Sequence, residues 1–316
     1  MNDTSVRVGR FVLQSEVGAG GMGVVWSAVE VASPQRRVAI KLMTRDGAAD
    51  EAYRHAFLNE IGITAALRHP HVVDVWDWGE LPDGPLPPPL VPDSPWMAMT
   101  FAEGGTLRQH GGRMAWARIQ EVLLEVLAGL EHVHGHRLLH LDVKPSNVLL
   151  DAEGRAMLSD FGLARSMDPT VADPEEDAPR WGTPAYMAPE QLQDDIQAWG
   201  PWTDLYALGC VAWSLVAGRP PFGRAPEEAI LRHLYDPLPR LRALQPVPPQ
   251  LEGWLQGMLA KKGDQRFRDA GSAARSLREL GAPVSTGAPP ASPWTGSTAA
   301  DSTTTLLVLK KQAANG

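Results

Sequence analysis

The stretch HLDVKPSN (140–147) brings together side chains that could do chemistry. Asp142, Lys144 and Asn147 place a carboxylate, an amine and an amide close together, just before the apolar run VLL. Side chains of these types are typical of a catalytic site. The residue before the aspartate is Leu141. The question is whether this leucine marks an inactive site or an active site under unusual control.

A glycine-rich stretch is a candidate for binding phosphate. It matches GxGxxG, a pattern that an ordinary glycine-rich turn also produces. Glycine lets backbone amides approach phosphate oxygens because no Cβ stands in the way. A dinucleotide site needs a helix after the glycines, whereas here Val24, Val25 and Trp26 follow and predict a strand. This order favours a hairpin flap over a nucleoside triphosphate. The motif comprises Gly18, Ala19, Gly20, Gly21, Met22 and Gly23.

A lysine ends the apolar strand VAIK (38–41). Lys41 could simply extend its ammonium into solvent from the end of the strand. It could also be a fixed cation for the α- and β-phosphates of a nucleotide. A buried ammonium needs an anionic partner, and Glu60, on the next predicted helix, is the candidate.

The elements that would position these residues are strands in the first third of the chain. Residues 11–42 contain three segments rich in β-branched and aromatic residues, and 71–78 and 96–101 have the same character. Residues 49–67 predict a helix, because their apolar residues recur at intervals of four. The segment 81–95 has seven prolines and is predicted to be an extended surface loop.

The remainder of the chain is predicted to be mainly helical. From Met114 onward, apolar residues recur at intervals of three and four and predict a helix with one buried face. Residues 204–218 are apolar on nearly all sides and predict a central helix. Residues 281–316 are rich in Ala, Ser, Thr, Pro and Gly and are predicted to be disordered.

Composition excludes several classes of protein. The 316 residues carry a formal net charge of -8, which gives no electrostatic support to a nucleic-acid partner. Cys210 is the single cysteine, so neither an intrachain disulfide nor a cysteine-based metal site can form. We find no signal peptide and no span of about 18 apolar residues that could cross a membrane. The expectation is a cytoplasmic protein without a membrane span.

Taken in order and spacing, the motifs resemble those of the protein kinase superfamily, specifically the bacterial serine/threonine kinases of eukaryotic type. The resemblance covers residues 10–280. It implies a two-lobed α+β fold, in which a small antiparallel sheet lobe with one helix precedes a larger, mainly helical lobe. The motifs are GAGGMGVV (18–25), VAIK (38–41), Glu60, HLDVKPSN (140–147), Asp160-Phe161-Gly162 and GTPAYMAPE (182–190).

The resemblance also implies domain boundaries. The kinase domain would occupy 10–280, with the sheet lobe at about 10–101 and the helical lobe at about 102–280. An N-terminal extension would precede it at residues 1–9, and the predicted disordered tail would follow it.

The implied activity is transfer of the γ-phosphate of ATP, with Mg²⁺, to serine and threonine hydroxyls of protein substrates. Asp142 would orient the hydroxyl and accept its proton, while Lys144 would sit near the γ-phosphate. Asn147 and Asp160 would supply the hard oxygen ligands that Mg²⁺ prefers. Lys144 together with Thr183, in the substrate-docking motif, favours serine/threonine over tyrosine specificity.

The resemblance to protein kinases also assigns the rest of the nucleotide site. Lys41, Glu60, Asp160 and the glycine motif would surround the phosphates. Glu190 is expected to form a structural ion pair with Arg266. The residues assigned to the adenine pocket are Met99 behind the base, Thr100 to Ala102 at the hinge, and Val25, Ala39 and Leu149 on the two faces of the base.

Leu141 occupies a position where most members of the family have arginine. That arginine places a positive charge beside the catalytic aspartate, and a phosphate on the activation segment neutralises it. Leucine removes the charge, which predicts activity without phosphorylation of this segment. Outside the docking motif, Ser166 and Thr170 are the only hydroxyl residues of the segment. Alternatively, Leu141 is a tolerated packing variant and control lies elsewhere.

The sequence gives less support to a metal site or to a pseudokinase. His132 and His136 have zinc-binding spacing, but Gly135 should end their helix and no further ligands complete a site. A pseudokinase scaffold should have lost Lys41, Asp142 or Asp160, and none is lost.

Two further possibilities concern substrates and partners. A small-molecule phosphotransferase of kinase-like fold would not need the motif GTPAYMAPE or the helices after it. The proline-rich segment 81–95 is either a solvated loop or a contact site for a signalling partner.

Overall fold

A six-stranded antiparallel sheet forms the first lobe of the protein. The computed structural model describes residues 6–20, 23–43, 51–83, 86, 90–167 and 183–284. The strand order in the sheet is β1-β2-β3-β4-β6-β5. The strands are β1 (Arg7–Val8), β2 (Phe11–Gly20), β3 (Gly23–Glu30), β4 (Ser33–Met43), β5 (Val75–Glu80) and β6 (Pro95–Thr100).

One helix, α1 (Glu51–Ala66), packs on this sheet. Phe57 and Ile61, spaced one turn apart, are buried against Met97 and Met99 of β6. This packing confirms the apolar spacing found in the sequence. It also places the polar residue between them, Glu60, inside the lobe.

The strand predicted over 71–78 is shorter in the structure, because its first residues pair with the other lobe. The backbone N–H of Val73 donates to the carbonyl of Leu158 at 2.9 Å, and that of Leu158 donates to the carbonyl of His71 at 2.9 Å. Strand β5 therefore begins only at Val75. The segment after α1 is thus a direct backbone link between the two lobes.

The second lobe is mainly helical, as expected. Its central helix is buried along nearly its whole length, as its apolar composition predicts. It also contains two short antiparallel pairs of strands, Leu138–Leu139 with Arg165–Ser166 and Val148–Leu150 with Ala156–Leu158. Its elements are α2 (Trp116–Gly135), β7 (Leu138–Leu139), β8 (Val148–Leu150), β9 (Ala156–Leu158), β10 (Arg165–Ser166), α3 (Pro189–Leu192), the central helix α4 (Pro201–Ala217), α5 (Pro226–Tyr235), α6 (Leu251–Leu259) and α7 (Ala270–Arg278).

The proline-rich segment is anchored at its described ends. Leu81 and Leu90 are buried in the apolar cluster of the sheet lobe, and Ser94 is buried beside them. The expectation of a surface loop was therefore wrong for these residues, because Leu81 and Leu90 pack into the apolar cluster of the sheet lobe.

The described chain continues slightly past the predicted domain boundary. Val284 forms a backbone bridge with Val247, so residues 281–284 remain attached to the helical lobe. The rest of the predicted disordered tail, 285–316, lies outside the described residues. Among the described helices, none combines the length and apolarity that a membrane crossing would require.

Helix α2 ends in a backbone conformation that favours glycine. The helix stops at Gly135, as predicted, and Arg137 follows with φ of 59° and an exposed side chain. A residue with a Cβ is strained in this left-handed region.

We expect Arg137→Gly to raise the free energy of unfolding by about 1 kcal/mol, because glycine adopts this conformation without strain. Thermal unfolding measures the change. Arg137→Ala is the matched control, since it removes the guanidinium but keeps the Cβ, and it should give no such gain. Equal melting temperatures for the two variants would contradict the strain.

Candidate active site

A buried ammonium joins three elements. Lys41 Nζ, on β4, donates to both carboxylate oxygens of Glu60, on α1, at 2.7 and 2.8 Å and to Asp160 Oδ1 at 2.9 Å. The side chains of Lys41 and Glu60 are 12% and 2% exposed, whereas that of Asp160 is 41% exposed. The ammonium therefore binds a fully buried carboxylate on one side and an accessible one on the other.

The charges in this group shift one another's ionisation. Burial alone would lower the pKa of Lys41, but the carboxylates of Asp160 and Glu60 outweigh burial and raise it. Burial likewise opposes ionisation of Asp160, yet the Lys41 and Lys144 ammoniums outweigh it and lower the pKa of Asp160 to about 2. Both groups are therefore charged at neutral pH.

A second polar group surrounds the carboxylate of Asp142. Lys144 Nζ lies 2.9 Å from Asp142 Oδ2, and Asn147 Nδ2 donates to the same oxygen at 2.9 Å. Asn147 Nδ2 also donates to the backbone carbonyl of Asp142 at 3.0 Å. These contacts fix the direction in which the carboxylate points. Burial raises the pKa of Asp142, and the charge of Lys144 opposes that shift.

The two groups interact with each other. The negative charge of Asp160 helps to raise the pKa of Asp142, and the charge of Lys144 helps to lower the pKa of Asp160. Asp160 is therefore the link between the lysine on the sheet and the loop that carries Asp142.

His140 contacts both the loop that carries Asp142 and the loop that carries Asp160. Its Nε2 donates to the carbonyl of Ser159 at 3.1 Å, and its Nδ1 accepts from the backbone N–H of Asp142 at 3.3 Å. Its ring also lies 4.6 Å from the ring of Phe161, centroid to centroid, and both residues are fully buried. His140 therefore packs against the Asp160-Phe161-Gly162 motif.

Asp204, which no motif in the sequence marks, holds the loop that carries Asp142 by its backbone. Its buried carboxylate accepts from the backbone N–H of His140 at 2.9 Å, from that of Leu141 at 2.7 Å and from His134 Nε2 at 2.8 Å. Burial opposes ionisation, but the hydrogen bond and charge of His134 outweigh it, so the pKa of Asp204 is lowered. The available signal was a single acidic residue in an otherwise apolar helix.

The residues assigned to the adenine pocket come together. Ala39 and Met99 belong to one buried apolar cluster, against which Val25, Leu149 and the hinge residue Phe101 pack. Thr100 ends β6, and Ala102 follows it in the hinge.

The described residues of the glycine motif pair between β2 and β3. Gly18 pairs with Val25 and Gly20 with Gly23. A Cβ on Gly23 would come within 2.2 Å of the carbonyl oxygen of Leu42, so no other residue fits there. Gly21 and Met22, which complete the motif, lie outside the described residues.

The expected structural ion pair is also confirmed. Arg266 donates to Glu190 through two parallel bonds of 2.7 and 2.8 Å, and both residues are buried. Thr183 directly precedes a short 3-10 helix, Pro184–Tyr186. Of the two activation-segment hydroxyls, Ser166 lies in β10, whereas Thr170 is outside the described residues.

The two histidines with zinc-binding spacing have rings in contact, tilted by 54° to each other. The rings of His132 and His136 are 4.4 Å apart, and that of His69 lies 4.9 Å from His132. Within the described parts of the chain, no three histidine, cysteine or acidic side chains are arranged to hold a metal ion.

Comparisons with known proteins agree with this geometry. Residues 11–273 match the family described as protein kinase domain. The chain is 34% identical to serine/threonine-protein kinase PknB of Mycolicibacterium smegmatis, over 83% of this chain and 41% of that protein. It is 32% identical to PknB of Mycobacterium tuberculosis, over 90% and 44% respectively.

A third relative comes from another bacterial group. The DNA damage-responsive serine/threonine-protein kinase RqkA of Deinococcus radiodurans is 35% identical, over 82% of this chain and 37% of that protein. The chain thus spans less than half the length of these curated relatives.

We expect Asp204→Asn to lower the free energy of unfolding by about 3 kcal/mol, because the amide replaces one acceptor oxygen with an NH₂ donor that faces a buried N–H donor. The lowered pKa means that the carboxylate stabilises the fold above about pH 4 and loses this effect as the pH falls further. Denaturant unfolding at neutral and acidic pH should therefore show that the difference in unfolding free energy between the wild type and Asp204→Asn becomes smaller below about pH 4.

The exposed Asp264→Asn is the control for this substitution and should change stability by less than about 0.5 kcal/mol. Equal stabilities of the two variants at neutral pH would contradict the role of Asp204.

Proposed function

The chain belongs to the protein kinase family, and on that premise we propose that it transfers the γ-phosphoryl group of ATP to serine and threonine hydroxyls of proteins. The observation that carries the proposal is the bonded group of Lys41, Glu60 and Asp160, in electrostatic contact with Asp142 and Lys144. A fixed cation for the phosphates and a carboxylate oriented toward the hydroxyl are recurring parts of sites that transfer phosphoryl groups.

Asp142 is the residue that receives the substrate hydroxyl. Its carboxylate, oriented by Asn147 and Lys144, accepts the hydroxyl proton as the bond from the hydroxyl oxygen to the γ-phosphorus forms. The bond from the γ-phosphorus to the β,γ-bridging oxygen breaks, and ADP carries that electron pair away. Lys144 and Lys41 balance the negative charge of the phosphates on either side of the transferred group.

Asn147 and Asp160 suit Mg²⁺. Both offer the hard oxygen atoms that this ion prefers, and Mg²⁺ usually takes few protein ligands because phosphates and water fill its other positions. The accessible Asp160 carboxylate, whose low pKa keeps it ionised, fits this requirement. The ion, when bound, neutralises phosphate charge.

The apolar cluster around Ala39 and Met99 is suited to a flat, uncharged base. Val25 and Leu149 lie on its border, and the backbone from Thr100 to Ala102 runs along its edge. The hairpin of the glycine motif extends from the same strand as Val25, so its amides can cover the phosphates. These positions support the assignment of the nucleotide site.

We further propose that the kinase does not need phosphorylation of its activation segment. Leu141 is apolar and 6% exposed, so it places no charge beside Asp142 that a phosphate would have to neutralise. Arg165, at the start of the segment, stacks over Trp199 with its guanidinium 5.8 Å from the ring centre. The backbone of Leu141 is held by Asp204 instead.

Two substitutions test the proposed activity. With radiolabelled ATP and a generic protein substrate, Asp142→Asn and Lys41→Met should each lower the rate at least about a hundredfold, which is about 3 kcal/mol in barrier height. Asp264→Asn and Lys262→Met make the same changes at exposed positions and should keep the wild-type rate.

The pattern of label distinguishes the alternatives. Label on protein that is lost in both variants supports the kinase. ATP binding without transfer by the wild type would support a pseudokinase scaffold, and label on a metabolite alone would support a small-molecule phosphotransferase.

Phosphatase treatment, or Ser166→Ala combined with Thr170→Ala, tests the mode of control. Either treatment should change the rate by less than about threefold, equivalent to about 0.65 kcal/mol, because Leu141 places no cation beside Asp142 for a phosphate to neutralise. Steady-state rates with a peptide substrate measure this effect. A hundredfold loss would contradict independence from phosphorylation.

A further inference from the structure

The backbone at Leu141 adopts a conformation that leucine disfavours. Its φ is 62°, in the left-handed region, while its side chain is buried. Non-glycine residues remain in this region only where surrounding contacts hold them there. The contacts around Leu141 therefore determine where the next residue, Asp142, is placed.

Side chains from two different helices hold the two peptide groups of Leu141. Its N–H donates to Asp204 Oδ1, on α4, at 2.7 Å. Its carbonyl accepts from Gln191 Nε2, on α3, at 3.0 Å. That carbonyl belongs to the peptide bond that joins Leu141 to Asp142, so Gln191 fixes the plane from which the catalytic carboxylate extends.

A second hydrogen bond fixes the orientation of the Gln191 amide. Its Oε1 accepts from the backbone N–H of Ala188 at 3.0 Å. In the flipped orientation the amide nitrogen would face the N–H of Ala188, and the amide oxygen would face the carbonyl of Leu141. Both contacts would be repulsive, so the donor must point at Leu141.

Gln191 is itself firmly placed. The residue before it, Glu190, is held by the buried pair of hydrogen bonds with Arg266. Ala188, Glu190 and Gln191 all lie at the end of the substrate-docking motif or directly after it. The Gln191 amide thus connects the segment that receives the substrate to the loop that carries Asp142.

We propose that Gln191 is a positioning residue for phosphoryl transfer, which acts by holding the Leu141 carbonyl and hence Asp142 in register with the docking segment. This inference rests on the proposed kinase function. It deepens that function by identifying a contact that orders the catalytic loop through hydrogen bonds to the backbone of Leu141, whose side chain carries no charge.

Gln191→Glu separates the two hydrogen bonds of this side chain. A glutamate at this position keeps the acceptor for Ala188, as in an ordinary capping box, but an ionised carboxylate cannot donate to Leu141. We expect kcat to fall about tenfold while the KM for ATP changes less than about twofold, because only the transition-state arrangement is lost. Gln191→Ala, which removes both bonds, should lower kcat at least as much.

Gln193→Glu is the matched control, because it makes the same charge change at an exposed position two residues away. Its kcat should equal that of the wild type, and its melting temperature should lie within about 2 °C of that of Gln191→Glu. If Gln191→Glu lowers kcat but leaves the KM for ATP and the melting temperature unchanged, a merely structural role cannot explain the effect.

The outcomes are distinguishable. If the wild type transfers phosphate and Gln191→Glu keeps its full kcat while Gln191→Ala loses activity, only the cap on Ala188 matters and the positioning role is overturned. If the wild type transfers no phosphate to protein, the proposed function fails, and the role of Gln191 fails with it.

Discussion

The arrangement of the catalytic loop depends on one buried carboxylate. Asp204 sits in the central helix of the larger lobe, where burial would ordinarily favour the neutral acid, and it stays ionised because three donors converge on it. Two of those donors are consecutive backbone N–H groups, of His140 and Leu141. A rigid helix therefore dictates the path of a loop that has no regular structure of its own.

The second constraint is the ammonium of Lys41, which joins the sheet, helix α1 and the loop of Asp160. Its bonds to Glu60 are inaccessible to water, whereas Asp160 is partly exposed. Both carboxylates keep the lysine charged; Glu60 holds it on the buried side, and Asp160 stays partly accessible to other ligands. With only one of these carboxylates, Lys41 would lack either the buried partner that fixes its position or the accessible carboxylate beside it.

The sequence predicted the residues of the site itself better than it predicted the residues that hold the backbone of its loops. Lys41, Glu60 and Asp142 stand out because their side chains lie in or near short motifs with a chemical reason for each residue. Asp204 and Gln191 were missed because their partners are backbone groups of a loop distant in sequence, and no side-chain pattern records such a contact. Leu81 was misplaced for a similar reason, since composition does not tell which residues of a proline-rich segment turn inward.

Leu141 shows how these levels combine. By residue type alone it is either a lost arginine or a packing variant, and the sequence cannot decide between them. In the structure its side chain is buried, its N–H is bound by Asp204 and its carbonyl by Gln191. The strained backbone is thus held by two side chains of the helical lobe, the ionised Asp204 and the neutral Gln191. A leucine here is compatible with an ordered catalytic loop because the order resides in the peptide groups rather than in the side chain.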